Sequence, residues 1–270
     1  MKFSMLLATL GTREEELIRL FDSLKNQTYK NFELIAVTQG NHEKISNILS
    51  NYDFEYKHIP MEGKGISRAR NKGIPYVSGD VITFTDDDCW YESNALEVVK
   101  DHFEKYDADV LTFKHMDPHK NEYTKVYPDN EVINFPKMDT LKQISFDIYV
   151  NTNRVPAFKD GFDERFGVGS IYNSGEENIY LMDLYNKGYK KMCFFPIIIA
   201  YHPKKECNYL DERSFIGKGP LFKRLFGESL GLPMLIAFGM KKKKLIDKFE
   251  PGKFWSIYKS AIKECIQFRV

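Results

Sequence analysis

Residues 3–38 read FSMLLATLGTREEELIRLFDSLKNQTYKNFELIAVT, and this stretch decides the fold. The apolar runs at 3–9 and 32–38 are typical of buried strands. Between them, after a capping box predicted from Thr12 and Glu15, apolar residues recur at the spacing of one helix face. These residues are Leu17, Leu20, Phe21 and Leu24. A strand, a helix and a second strand in this order predict a right-handed βαβ unit and a parallel sheet.

The same alternation continues along the chain. Further strands are predicted at 55–59, 80–85, 109–113 and 192–200. Further helices are predicted at 45–49, 95–103 and 176–187. Residues 115–150 are irregular and rich in Asp, Asn, Lys and Pro, so we expect them to leave the sheet. The predicted fold class is α/β, with a mostly parallel central sheet flanked by helices, and such sheets bind ligands at the carboxyl ends of their strands.

Composition describes an ordinary globular chain whose charge is unevenly distributed. The 270 residues are 43% hydrophobic and 29% charged, with a net charge of +1. Residues 218–270 contain 12 Lys and Arg against 4 Asp and Glu, a net charge of +8, which leaves −7 on residues 1–217. An acidic body disfavours nucleic-acid binding, and the basic tail predicts contact with an anionic partner.

Cysteine content and hydropathy argue against a disulfide-rich secreted protein and against a membrane-spanning protein. Cys89, Cys193, Cys207 and Cys265 are too few and too scattered for a disulfide scaffold. The apolar stretch at 230–240 is far shorter than the roughly 20 residues that span a bilayer. The opening run is typical of a strand and not of a signal peptide. We therefore expect a cytoplasmic protein, attached at the inner face of the plasma membrane if the tail binds lipid.

Three consecutive carboxylates follow the strand at 80–85. Repulsion between Asp86, Asp87 and Asp88 is costly, and a divalent cation relieves it. In an extended segment Asp86 and Asp88 point the same way, which suits Mg²⁺ or Mn²⁺ with phosphate oxygens. The alternative is a solvated acidic turn, against which the apolar strand before it and the aromatic Trp90 after it argue.

A basic segment, GKGISRARNKG at 63–73, precedes the acidic one. Lys64, Arg68, Arg70 and Lys72 at a glycine-flanked helix start could hold a phosphate group. The alternative is a solvated basic helix face. Beside three carboxylates the segment indicates a metal–diphosphate site, and the chain has neither a P-loop nor a dinucleotide-binding GxGxxG pattern.

Another carboxylate pair opens the helix predicted at 176–187. Glu176 and Glu177 are explained equally well by the favourable helix dipole or by a general base that deprotonates a hydroxyl. His202 follows the last strand and is an ordinary histidine unless that strand ends beside Asp88, where it could ligate a metal.

In this order, the elements resemble the family 2 glycosyltransferases of the nucleotide-sugar-binding GT-A fold. The likeness covers about residues 3–202. The stretches that carry it are ATLGTREEELIRLFDSLKNQTYKNFELIAV at 8–37, GISRARNKG at 65–73, FTDDDCW at 84–90 and GEEN at 175–178. The acidic strand end stands where the family has its Asp-x-Asp motif, and the glutamate pair stands where it has Glu-Asp.

The resemblance implies an inverting transfer of a sugar from a nucleotide-diphosphate sugar, with UDP as the expected nucleotide. The implied acceptor is a hydroxyl of a glycan or of a lipid-linked saccharide in bacterial surface polysaccharide synthesis. Mn²⁺ or Mg²⁺ is implied at Asp88, Asp86 and His202, and Glu177 is the implied base, with Glu176 as the alternative. Nucleotide-sugar contacts are implied for Thr9, Gly11, Arg13, Gln39, Lys64, Arg68, Arg70, Asn71, Asp86 and Asp87. Acceptor contacts are implied for Trp90, Gly175 and Asp163, which is also the fallback base.

The sequence departs from the family pattern at two places. Where the family often has Asp-Asp-Gly-Ser after its second strand, residues 38–41 read Thr-Gln-Gly-Asn, so base recognition is expected to differ. Glu177 replaces an Asp and is one methylene longer, which shifts its reach by about an ångström.

We predict a catalytic domain at 1–217, with a nucleotide-sugar half at 1–114 and an acceptor half at 115–217, and a helical extension at 218–270. The extension places apolar side chains beside Lys223 and Arg224, which is typical of a helix lying on an anionic membrane. These apolar residues are Leu221, Phe222, Leu225 and Phe226. The alternative is a helix pair that packs back on the body or on a second copy of the chain.

Two other functions remain open at this stage. A sugar nucleotidyltransferase also pairs carboxylates with a basic cradle, although the N-terminal glycine-rich signature is missing. A glycosyltransferase-like module that binds a nucleotide sugar without turnover would need the same cleft but no functional Glu177.

Overall fold

Eight strands form a single sheet in the computed structural model, which describes residues 1–204, 211–249 and 251–270, with backbone only for 247–249. In chain order the strands are β1 (Phe3–Thr9), β2 (Phe32–Thr38), β3 (Glu55–Pro60), β4 (Val81–Thr85), β5 (Trp90–Tyr91), β6 (Val110–Met116), β7 (Ile148–Asn151) and β8 (Met192–Tyr201). Their order in the sheet is β3-β2-β1-β4-β7-β6-β8-β5.

Helices cover both faces of this sheet. They are α1 (Glu14–Lys25), α2 (His42–Leu49), α3 (Ile66–Gly73), α4 (Ala95–Lys105), α5 (Glu176–Asn186), α6 (Glu212–Ile216), α7 (Lys218–Phe249) and α8 (Phe254–Gln267). Alternate residues of β1 enter opposite cores, because Met5 and Leu7 pack with α1, α2 and α4 while Leu6 and Ala8 pack with α3 and α5. The predicted α/β class with a helix-flanked sheet is confirmed.

Strand β1 lies at the point where the strand order reverses. Its two neighbours, β2 and β4, are both parallel to it, with Phe3 paired to Phe32 on one side and to Val81 on the other. Chain connections therefore leave β1 in both directions and open a crevice beyond its carboxyl end. Thr9, Gln39 and Asp86 lie at this edge.

We expected residues 115–150 to leave the sheet, and this is wrong for the last of them, because residues from Ile148 onward form strand β7. Strand β7 lies in the middle of the sheet, antiparallel to β4 on one side and to β6 on the other. It has only four residues, Ile148–Asn151, which is too short for an apolar alternation to be recognised in the sequence.

The capping box predicted at Thr12 and Glu15 does not form. Helix α1 begins at Glu14, its N-cap residue is Arg13, and the helix start has no side-chain capping hydrogen bond. Three glutamates in that turn stabilise the helix start through the dipole instead. Thr12 lines the crevice described below.

The C-terminal helices pack on the body. Of the two interpretations of the tail, this is the helix pair that packs back on the body. Leu221 and Leu225 of α7 are buried against Ile179 and Met182 of α5. Arg224 donates to the carboxylate of Asp183 at 2.6 and 3.0 Å. No helix within the described ranges is long and apolar enough to cross a bilayer.

Part of the tail nevertheless remains apolar and exposed. The exposed side chains are Leu230, Ile236, Met240, Leu245, Trp255, Ile266 and Val270. Helix α7 is interrupted at Gly227, whose φ of 76° and ψ of −174° are not helical, so α7 consists of two segments.

Three cysteines, Cys89, Cys193 and Cys265, are free and buried. Cys207 lies outside the described residues.

Candidate active site

A cleft of about 230 Å³ opens at the carboxyl ends of β1, β2 and β4. The structure brings eight of the sequence-predicted residues to its lining: Thr9, Arg13, Gln39, Lys64, Asp86, Asp87, Asp88 and His202. Val168 and Gly169, from the acceptor half predicted at 115–217, also line it. Helix α3 holds this loop, because the Ile66 N–H donates to the Val168 carbonyl at 2.9 Å.

Arg13 offsets the repulsion within the acidic strand end. Its Nη1 lies 2.9 Å from Asp87 Oδ1 and 2.7 Å from Asp88 Oδ2. The Thr9 hydroxyl donates to Asp87 Oδ2 at 2.6 Å and accepts from the Gly11 N–H at 2.9 Å. Burial raises the pKa of the Asp87 carboxyl, against the opposing effects of Thr9 and Arg13. Gly11 thus supports the cleft wall through Thr9.

His202 lies beside Asp88, as its interpretation as a metal ligand requires. Its Nε2 is 3.2 Å from Asp88 Oδ1, and its ring stacks on Phe146 with centroids 5.3 Å apart. A carboxylate and an imidazole suit Mn²⁺ or Mg²⁺, which commonly take few protein ligands and complete their shell with phosphate oxygens and water. This pair therefore fits the ion that the family implies. Within the described residues, no group of three or more His, Cys, Asp and Glu could hold a metal.

Arg70 joins the acidic strand end to the glutamate pair. The side chain is fully buried, with Nη2 3.0 Å from Asp86 Oδ1 and Nη1 3.6 Å from Glu176 Oε1. Its guanidinium also lies over the ring of Phe162, 5.3 Å from the centroid. We expected Arg70 to face the nucleotide. The structure places it behind the cleft, where it balances carboxylates from β4 and α5.

Glu176 and Glu177 occupy the N-terminal turn of α5, after Gly175 with a φ of 94°. Glu176 is buried and Glu177 is half-buried. Burial, and then the neighbouring Glu176 carboxylate, raise the pKa of Glu177 above its ordinary value. Neither glutamate lines the cleft, and Arg70 connects the pair to the acidic wall of the cleft. A carboxyl with a raised pKa is characteristic of a general acid or base.

Lys218, the first residue of α7, was not identified from the sequence. Its Nζ donates to the Ser174 hydroxyl at 2.9 Å, and its charge faces Glu177 and Glu176. Burial lowers the pKa of Lys218, and the two carboxylates oppose this effect. In the sequence it is one of 12 basic residues in the tail, and no local pattern distinguishes it.

Besides Arg70, two further residues expected to contact the nucleotide lie away from the cleft. Arg68 is exposed and lines a different cavity together with Asn71 and Lys72. Asn71 accepts from the Phe162 N–H at 2.7 Å and donates to its carbonyl at 2.9 Å. Asn71 therefore holds the loop that follows β7. Of the cations in the basic segment at 63–73, Lys64 is the one that lines the cleft.

The three residues expected to contact an acceptor do not line the cleft either. Trp90 packs against Tyr201, with ring centroids 5.6 Å apart and the two rings tilted by 31°. A Cβ on Gly175 would lie 2.5 Å from a Leu221 methyl group, so Gly175 permits the close packing of α7.

Asp163, the fallback base, is bonded to two arginines, Arg165 at 2.6 Å and Arg224 at 3.0 Å. Although burial raises the pKa of Asp163, these bonds outweigh it and keep the pKa below its ordinary value. An ionised carboxylate with both oxygens engaged is poorly suited to act as a base.

Residues 7–162, more than half of the chain, match the sequence model of the family described as Glycosyl transferase family 2, and the chain belongs to that family. Glycosyltransferase GlyA of Streptococcus pneumoniae serotype 4 is 28% identical over 186 residues, 63% of this chain and 27% of that protein. Glucosyl-dolichyl phosphate glucuronosyltransferase of Haloferax volcanii is 32% identical over 108 residues, 38% of this chain and 34% of that protein. The matched segments thus span about a third or less of these relatives.

Solved structures show the same fold. A crystal structure of residues 1–349 of S. aureus TarS superposes with a TM-score of 0.73 at 15% identity, covering 99% of this chain and 80% of that one. Its complex with UDP-GlcNAc gives a TM-score of 0.70 at 17% identity, covering 99% of this chain and 81% of that one. The predicted GT-A architecture is confirmed.

Proposed function

We propose that this protein is an inverting glycosyltransferase that moves a sugar from a nucleotide-diphosphate sugar, with UDP as the nucleotide, to an acceptor hydroxyl. One observation carries the proposal: buried Arg70 links the acidic wall of the cleft, through Asp86, to the glutamate pair at α5, through Glu176. Arg70 thereby connects the proposed donor site to the helix turn that carries the candidate base Glu177. The family, the glycosyltransferase names of the relatives and the TarS complex with UDP-GlcNAc support the proposal.

The cleft would hold the donor through its nucleotide and diphosphate. Lys64, two residues before the start of α3, would face the diphosphate. Gln39 accepts from the Gly65 N–H at 2.7 Å, which orients its amide at the cleft for contact with the nucleotide base. Gln39 would take the place of the family's base-reading Asp.

Asp88 and His202 would hold Mn²⁺ or Mg²⁺, with Asp86 in the surrounding shell. When bound, such an ion neutralises the negative charge that develops on the leaving diphosphate. Arg13, already bonded to Asp88, would add a second positive charge on the same side of the cleft.

Glu177 would take the proton of the acceptor hydroxyl as its oxygen attacks the anomeric carbon. The new glycosidic bond forms while the bond to the diphosphate oxygen breaks, and the nucleoside diphosphate leaves with that electron pair. Because attack and departure occur on opposite faces, an α-linked donor gives a β-linked product. Lys218 would stabilise the ionised form of Glu177 from the tail side.

The acceptor we propose is a glycan or a lipid-linked saccharide of a bacterial surface polysaccharide. One relative is a glucuronosyltransferase whose name gives glucosyl-dolichyl phosphate as its substrate, which supports a lipid-linked acceptor. The tail, with its net charge of +8 and exposed apolar side chains, would place the protein at an anionic membrane surface.

Release of nucleoside diphosphate from a panel of nucleotide sugars, with and without Mn²⁺, tests the proposal. We expect metal-dependent release from one donor, and we expect Asp88→Asn to abolish metal-dependent donor binding in calorimetry. Asp101→Asn, which changes an exposed carboxylate on α4, is the matched control. If the unmodified protein neither binds nor cleaves any donor, the proposal fails.

A further inference from the structure

Another cavity, of about 660 Å³, lies between the two segments of α7 and the body, and we call it the tail groove. Its apolar walls come from both segments: Leu221, Leu225, Met234, Phe238 and Leu245. Lys218, Lys241 and Lys242 also line the tail groove, and among the described residues no acidic side chain does.

The lysines converge at one end of the tail groove. After the kink at Gly227 the second segment folds back on the first. A Cβ on Gly231 would lie 2.5 Å from the Lys223 Cα, and the rings of Phe222 and Phe238 meet with centroids 5.2 Å apart. Lys218 lies one helical turn before Phe222, and Lys242 lies one turn after Phe238. In two segments that run in opposite directions, these two lysines therefore occupy the same end.

The lysine end of the tail groove adjoins the candidate base. Asn178, the residue after Glu177, lines the groove, and its amide is fixed by donation to the carbonyls of Thr140 and Gln143 at 3.2 and 3.3 Å. Lys218 both lines the groove and faces the Glu177 carboxylate. A ligand in the groove would thus place its polar end beside Glu177.

We propose that the tail groove binds the acceptor, and that this acceptor is a saccharide carried on the phosphate ester of a long-chain alcohol. The phosphate pairs with Lys218, Lys241 and Lys242, and the apolar chain lies along the leucine, methionine and phenylalanine walls. The saccharide beyond the phosphate reaches Glu177. A purely polar glycan would leave the apolar walls uncovered, and a neutral lipid would gain nothing from Lys241 and Lys242 at the lysine end of the groove. The proposal rests on the proposed transferase function, whose base it uses.

Titration of the full chain with decyl phosphate below its micellar concentration tests this assignment, with inorganic phosphate and neutral decyl maltoside as comparison probes. We expect saturable binding of decyl phosphate and at least roughly tenfold weaker binding in the double variant Lys241→Gln, Lys242→Gln. Lys244→Gln removes an exposed lysine that does not line the groove and should bind as the unmodified chain does.

A second pair of variants tests the apolar wall without disturbing a core. Ala237 is exposed and lines the groove, and Ala237→Glu should abolish binding, whereas Ile236→Glu on the same helix and outside the groove should not. Equal affinity for inorganic phosphate or decyl maltoside, or equal binding by Ala237→Glu, would overturn the assignment.

Calorimetry with the nucleotide sugar separates this inference from the proposed function. A chain that binds the donor but not decyl phosphate contradicts the tail groove alone. Binding of decyl phosphate without any donor binding contradicts the transferase, and with it the acceptor role of the groove.

Discussion

Glu177 owes its chemistry to neighbours from three separate parts of the chain. Glu176 precedes it in the first turn of α5, Arg70 reaches the pair from α3, and Lys218 reaches it from α7. Burial and Glu176 raise the pKa of Glu177, while Arg70 lowers it. The balance leaves a carboxylate that holds a proton more strongly than an exposed one, as a base working near neutral pH requires.

Glu177→Gln should remove sugar transfer while nucleotide-sugar binding remains. The amide is nearly isosteric but cannot accept the acceptor proton, and loss of a general base typically costs about 10²–10⁴-fold in rate. Glu177→Asp, which restores the family's shorter side chain, should keep part of the activity. Turnover and calorimetric titration of the donor measure the two effects, and undiminished turnover in Glu177→Gln would refute the assignment.

Lys218→Met should shift the acid limb of the pH–rate profile. A base works only when ionised, so activity rises as pH passes the pKa of Glu177. Without the facing cation that pKa rises further, and the acid limb of kcat/KM should move to higher pH by about one unit. Lys218→Arg keeps the charge and should leave the limb near its original position. An unmoved limb in Lys218→Met would show that Lys218 does not act on Glu177.

At the level of elements, the sequence predicts best where an element carries a complete apolar pattern. β1, α1 and β2 were found with their cores because each presents a full strand run or helix stripe. β7 was missed because four residues carry too little periodicity, and its place depends on pairing with distant β4 and β6.

The sequence also predicts only part of the candidate site, namely the residues that lie next to strand ends. Residues that directly follow strands, such as Asp88 and His202, meet because parallel strands end at one edge. Helix α3 was different, since its alternating cations gave no indication of which would be buried. Arg70 turns inward to Asp86, whereas Arg68 stays exposed. Lys218 reaches the site only through the packing of α7 on α5.

Glu33 lies near the amino-terminal end of β2, at the edge of the sheet opposite the cleft, and its hydrogen bonds can be tested for their contribution to stability. It is fully buried and accepts from the Ser4 hydroxyl at 2.6 Å, Lys57 Nζ at 2.9 Å and the Ser78 N–H at 2.8 Å. Burial would raise the pKa of Glu33, but these bonds outweigh it and lower the pKa to about 2. Because the folded pKa lies below the unfolded one, ionised Glu33 stabilises the fold above the unfolded pKa, and this contribution is lost as pH falls toward about 2.

Glu33→Gln should therefore lower the free energy of unfolding at neutral pH by on the order of 2 to 3 kcal/mol. The difference from the unmodified protein should shrink as the pH falls, as measured by urea denaturation across the acid range. Glu55→Gln, which changes an exposed carboxylate paired with Lys2, should have little effect. A penalty for Glu33→Gln that is independent of pH would contradict the assigned role.

On the scale of the whole molecule, the basic tail has two different surfaces. One surface completes the body: Leu221 and Leu225 are buried against α5, and Lys218 reaches the glutamate pair. Removing residues 218–270 would expose that apolar face, so truncation cannot separate membrane binding from folding. The other surface carries apolar side chains in contact with solvent, which are free to bind a membrane.

The variant that tests membrane binding must therefore change the second surface alone. Leu230, Met240 and Trp255 are 58%, 52% and 55% exposed, so replacing all three by Gln should leave the packing of the tail intact. We expect the unmodified protein to co-sediment with vesicles containing anionic lipid, less so at high salt, and the triple variant to stay in the supernatant. Val126→Gln with Ile171→Gln, on exposed parts of the body, is the matched control and should sediment normally. Equal sedimentation of the triple variant would show that these three exposed side chains do not carry the membrane binding of the tail.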